Sequence, residues 1–125
     1  MTLACHKTLL IVDDSLTARL LAQGIVKKLK PDWTIISAKD GPDALRQLQQ
    51  EPTELSGMLL DINMPHMDGF ELASKLREAH PRVPIVMLSA NVQRSNRERA
   101  DSAGYGFIPK PVSPEKVGSF LETLA

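Results

Sequence analysis

Leu9-Leu10-Ile11-Val12-Asp13-Asp14-Ser15 (LLIVDDS) decides how the rest of the chain is read. Four apolar residues in succession, with no polar alternation, suit a strand covered on both faces. Such strands belong to parallel sheets flanked by helices. The run stops at Asp13-Asp14. Ser15 is an N-cap type of residue, and Leu16, Leu20, Leu21, Ile25 and Leu29 then recur at helical spacing. They predict a helix with those side chains inward, ended by Pro31-Asp32.

The same order repeats along the chain. Trp33 to Ala38 (WTIISA) reads as a second strand because β-branched residues favour the pleat. Asp40-Gly41-Pro42 is a turn that places Pro at a helix start, and Ala44, Leu45 and Leu48 form that helix's inner face up to about Gln50. Gly57 to Ile62 (GMLLDI) is a third strand, followed by the loop Asn63 to Gly69 and a helix marked by Phe70, Leu72, Ala73 and Leu76. Pro84 to Ser89 (PIVMLS) is a fourth strand, with the proline at its first position, where a missing N–H is tolerated. Asn91 to Ala103 reads as a polar helix with Val92, Ala100 and Ala103 as inner residues, stopped by Gly104. Tyr105 to Pro109 is a fifth strand. Ser113-Pro114 then opens a last helix with Val117, Phe120, Leu121 and Leu124 on its apolar side.

Five strands alternating with five helices specify an α/β fold with a doubly wound parallel sheet. A chain of 125 residues is one domain in length, with its core expected from about 7 to 124. Fifteen basic residues balance fifteen acidic ones, so no positive field draws in a nucleic acid. No apolar run approaches the roughly 18 residues of a membrane span, and MTLACHK lacks the pattern of a signal peptide. The single cysteine, Cys5, has no internal disulfide partner, and His6, His66 and His80 lack zinc-site spacing. A cytoplasmic setting is expected.

The polar residues that end strands carry the chemistry. Asp13 and Asp14 end the first strand, Asp61 the third, Ser89 the fourth, and Lys110 follows the fifth. In a parallel sheet all these endings share one edge, where ligands bind in such folds. Two carboxylates about 4 Å apart repel by about 4 kcal/mol at an effective dielectric near 20. Three of them need compensation, which Lys110 and a hard divalent cation such as Mg²⁺ would supply. Taken singly, an acid after a strand is as readily a helix cap. Met58, Met64, Met67 and Met87 read as packing, Trp33 as a partly buried strand residue, Cys5 as passive, and His66 as at most lining the site. There is no phosphate loop of the Walker or dinucleotide type and no serine-nucleophile elbow.

Four segments in this order and spacing, IVDDS (11–15), LLDINMPHMDG (59–69), MLSA (87–90) and FIPKP (107–111), resemble the receiver domain of two-component response regulators. The resemblance runs from about Lys7 to Leu124. It implies strand order 2-1-3-4-5 and a phosphoacceptor role for Asp61, charged from a phosphohistidine on a sensor histidine kinase or a histidine phosphotransfer protein. It implies Mg²⁺ held by Asp14 and Asp61, by Asp13 through water, and by the Asn63 backbone carbonyl. It implies Ser89 as the switch hydroxyl, Phe107 as the switch aromatic in preference to Tyr105, and a cis Lys110–Pro111 bond. The face formed by the fourth helix, fifth strand and fifth helix would then be read by a downstream protein target or by a fused output domain, none of which this chain contains. Phe107 departs from the family's frequent Tyr, and Pro109 from its usual small or β-branched residue. The domain would be a signalling module, its only chemistry phosphorylation and dephosphorylation of itself. Two other classes stand beside this one: an aspartate-nucleophile phosphatase, whose Asp-x-Asp pattern on strand one is missing here, and a receiver-like interaction module that is never phosphorylated. A stand-alone regulator and a piece of a longer one both remain open.

Overall fold

A computed structural model describes residues 7–124; the expectations for Cys5 and His6 fall outside them. The elements are β1 (Thr8–Val12), α1 (Leu16–Leu29), β2 (Thr34–Ala38), α2 (Gly41–Gln50), β3 (Gly57–Asp61), α3 (Gly69–Ala79), β4 (Ile85–Ser89), α4 (Arg94–Ser102), β5 (Gly106–Pro109) and α5 (Pro114–Leu124). All neighbouring strands pair in parallel, in the order β2-β1-β3-β4-β5.

Alternation along each strand divides the core in two. Leu10, Val12, Met58, Leu60, Ile85 and Met87 face Ala44 of α2, Phe70, Leu72, Ala73 and Leu76 of α3, and Ala100 of α4. Leu9, Ile11, Leu59, Val86, Leu88 and Ile108 face Ala22, Ile25 and Val26 of α1 and Val117 and Leu121 of α5. Each fully buried aliphatic side chain stabilises the fold by about 2 kcal/mol. Short caps fix where helices begin: Ser15 Oγ accepts from Ala18 N–H, Asp40 from Asp43 N–H, and Asp68 from Glu71 N–H.

Two helix readings need correction. The buried face of α1 is Ala22, Ile25 and Val26, whereas Leu16 and Leu20 are 59% and 56% exposed and Leu21 and Leu29 are also exposed. Leu16 and Leu20 lie on the far side of the helix, about 130° and 170° from the sheet-facing stripe at 100° per residue. The small Ala22 lets the helix settle on the sheet, so leucine count misidentifies the inner face. Helix α4 begins at Arg94 rather than Asn91, and Val92 lies outside it, 50% exposed. The backbone there is diverted by side chains: Ser89 Oγ accepts from Asn91 N–H, and Asn91 Oδ1 accepts from Gln93 N–H. Of α4, only Ala100 is buried; Ala103 caps the helix and is half-buried. Trp33 is buried but precedes β2, its N–H closing a turn onto the Lys30 carbonyl. Strands β3, β4 and β5 exclude Ile62, Pro84 and Tyr105.

Candidate functional site

Residues from four separate strand endings meet at the carboxyl edge of the sheet. Asp13 follows β1 and is 1% exposed; Asp61 closes β3 and is 3% exposed; Ser89 closes β4 and is fully buried. Asp14 is exposed. One carboxylate oxygen from each of Asp13, Asp14 and Asp61 lies within 4.8 Å of the others. Lys110 follows β5, and its N–H donates to the Ser89 carbonyl, extending the ladder. Its Nζ lies 2.9 Å from Asp13 Oδ2 and 3.4 Å from Asp61 Oδ1. The peptide after it, Lys110–Pro111, is cis.

The electrostatics follow from this packing. Burial raises the Asp61 carboxyl, the negative charge of Asp13 raises it further, and Lys110 pulls the other way; the outcome is about 7. Burial alone would lower the Lys110 ammonium, but its hydrogen bond to Asp13 and the charges of Asp61 and Asp13 outweigh that and raise it. Three carboxylates against one ammonium leave the rim short of positive charge. All the side-chain donors are hard oxygens, the set that a small divalent cation of the magnesium type prefers. The candidate site therefore fits such a cation.

The remaining expected residues are placed as follows. Asn63 is exposed, two residues past Asp61, and its N–H points to Asp61 Oδ1 at 3.4 Å. The Ser89 hydroxyl donates to the Asn91 carbonyl at 3.0 Å. Phe107 is half-buried against the α3/α4 side of the core, with the Arg97 guanidinium 4.9 Å from its ring centre. Tyr105 stacks on Phe70 instead. His66 is exposed in the β3–α3 loop with φ of 72°. The four methionines pack in or against the α2/α3/α4 cluster.

Two supporting residues escaped the sequence reading. Arg19 of α1 donates from Nη1 to the Asp13 carbonyl at 2.7 Å, tying the acidic turn to its helix. Gly69 opens α3 so close to β3 that a Cβ there would sit 2.3 Å from the Asp61 carbonyl oxygen. Both act on backbone atoms, which sequence patterns do not display. The Asp68-Gly69 pair before an apolar helix was the one available signal.

A profile described as the response regulator receiver domain matches residues 9–122. The chain belongs to that family. As a receiver it is 37% identical over 125 residues to the sensor protein EvgS of Escherichia coli K12, covering 99% of this chain and 10% of that protein. It is 36% identical over 110 residues to the transcriptional regulatory protein SrrA of Staphylococcus aureus NCTC 8325, covering 87% of this chain and 44% of that one. The receiver thus spans a tenth to under half of these curated relatives. Among solved structures, chemotaxis protein CheY4 of Vibrio cholerae is 26% identical, covers 97% of this chain and 100% of its own, and superposes with a TM-score of 0.84. The receiver fold and its acidic cluster identify a phosphoacceptor signalling domain of two-component systems. No described helix is long and apolar enough to cross a membrane.

Proposed function

We propose that Asp61 is the phosphoacceptor, charged from a phosphohistidine on a sensor kinase or a histidine phosphotransfer protein. The supporting observation is the convergence of the Asp13, Asp14 and Asp61 oxygens within 4.8 Å, with Lys110 Nζ 2.9 Å from Asp13 and 3.4 Å from Asp61. In the transfer, an Asp61 carboxylate oxygen forms a bond to phosphorus as the donor's P–N bond breaks. The electron pair stays on the imidazole nitrogen, which takes up a proton. The product is an acyl phosphate. Lys110 is held where charge develops on the phosphoryl oxygens. Asp13, Asp14, Asp61 and the Asn63 carbonyl would hold Mg²⁺, which when bound supplies the positive charge that lets the carboxylates and the phosphoryl group coexist.

Phosphorylation adds roughly 1.5 to 2 negative charges and new acceptor oxygens beside Ser89. The Ser89 hydroxyl then exchanges the Asn91 carbonyl for a phosphoryl oxygen, Phe107 turns inward, and the α4–β5–α5 face changes for a protein partner or an output domain elsewhere in a longer chain. The match over residues 9–122 supports reading the chain as one receiver domain. We place its work in the cytoplasm, without direct contact to nucleic acid or membrane. In this reading it is no turnover enzyme: a generic phosphomonoester should not be hydrolysed catalytically, which would separate it from an aspartate-nucleophile phosphatase.

Incubation with a small acyl phosphate and Mg²⁺, read by intact mass, tests the assignment. The wild type gains one phosphoryl group, dependent on the metal, and Asp61→Ala gains none. Equal labelling of the variant, or no labelling of the wild type, overturns it; the second result would favour a module that is never phosphorylated.

A further inference from the structure

The attachment of α4 is lopsided. Its C-terminal half is gripped at three points. Ala100 is fully buried, the Arg99 guanidinium lies 4.2 Å from the Phe70 ring centre, and Arg77 of α3 donates from Nη1 to the Ala103 carbonyl at 3.1 Å. That last bond satisfies a carbonyl at the helix end and puts a cation at the negative pole of its dipole. Arg77 in turn lies over Tyr105, whose ring stacks on Phe70. The N-terminal half has no buried residue and no side-chain cap. Two ties reach from it to the sheet edge. Asn96 Nδ2 donates to the Asn91 carbonyl at 3.3 Å, and the Arg97 guanidinium lies 4.9 Å from the Phe107 ring centre.

Each tie ends on a group that the proposed switch must move. The Asn91 carbonyl is the acceptor that the Ser89 hydroxyl now uses. Phe107 is the ring that turns. The Arg97 guanidinium lies over that ring, so an inward rotation of the ring would break the contact. Arg94, on the same helix, pairs with Glu98 at 3.0 Å within α4.

We propose that Arg97 is a positioning residue that latches Phe107 and the free end of α4 in the resting arrangement, with the C-terminal half of the helix as the pivot. The inference rests on the phosphoacceptor reading of Asp61. By linkage, a contact present only in the resting state lowers affinity for anything that binds the switched state. A solvent-exposed cation–π contact corresponds to about two- to fivefold in such an equilibrium.

Beryllofluoride with Mg²⁺, a non-hydrolysable phosphoryl mimic, is titrated into the wild type and into Arg97→Met, Arg97→Lys and Arg94→Met. Binding is followed by the NMR signals of the labelled Phe107 ring. Arg97→Met should bind about two to five times more tightly, with its ring signals already displaced toward the bound positions before any ligand is added. Arg97→Lys should fall between Arg97→Met and wild type. Arg94→Met, which removes the same charge from the same helix, should match wild type. Unchanged or weaker binding by Arg97→Met overturns the latch, as does an equal gain in Arg94→Met. A wild type that binds no beryllofluoride overturns the phosphoacceptor reading itself and the latch with it.

Discussion

Titrating Mg²⁺ into the chain at pH 8 and again at pH 6 tests the electrostatics of the acidic rim directly. The Asp61 carboxyl is raised to about 7, first by burial and then by Asp13, against the pull of Lys110. Only its ionised form offers a charged ligand, so metal binding must displace a proton wherever the carboxyl is protonated. With a midpoint near 7, about nine-tenths of the carboxyls are ionised at pH 8 and about one-tenth at pH 6. Apparent affinity should therefore fall about tenfold between the two, and about ninefold more by pH 5, where the loss approaches about 1.4 kcal/mol per unit. Calorimetry in two buffers of different ionisation enthalpy should count close to one proton released per metal at pH 6 and nearly none at pH 8. Stability moves in the matching direction. A carboxyl raised on folding favours the folded state fully below its unfolded value, near 4, and that contribution is lost as pH rises through about 7. From this group alone, the metal-free protein is more stable at pH 5 than at pH 8, and Mg²⁺ at pH 8 restores the difference. Affinities at pH 8 and pH 6 that agree within twofold, with no proton released at pH 6, would refute this account of the site.

Gly69→Ala places a Cβ within 2.3 Å of the Asp61 carbonyl oxygen, and backbone must move to admit it. Chemical denaturation should show a loss of about 2–3 kcal/mol, and the phosphoacceptor should label more slowly because its strand end has shifted. Lys110→Met removes the ammonium from the buried Asp13 while keeping most of the side chain's bulk. The unpaired charge should cost about 3 kcal/mol at neutral pH by thermal or urea unfolding, with phosphoryl labelling by a small acyl phosphate reduced well beyond that loss of folded protein.

The rim was legible because parallel strands bring all their carboxyl ends to one edge. Asp13, Asp14, Asp61, Ser89 and Lys110 needed only the correct strand endings, and each apolar run stops within a residue of where the sheet does. Helix α1 was misread because its sheet-facing stripe is built on Ala22 and two β-branched residues, while larger leucines decorate the opposite side. The start of α4 was misread because Ser89 and Asn91 claim the backbone N–H groups of Asn91 and Gln93 for themselves. Arg19 and Gly69 stayed hidden because each meets a main-chain carbonyl, and no periodicity marks such a partner.

The two halves of the interior share no side chain. The sheet works as a septum one residue thick, and the ring and helix proposed to move, Phe107 and the free end of α4, both lie on one side of it. The side chains buried beneath α1 are thereby screened from that motion, whereas α5, which roofs the same compartment, still lends its outer surface to the face a partner would read.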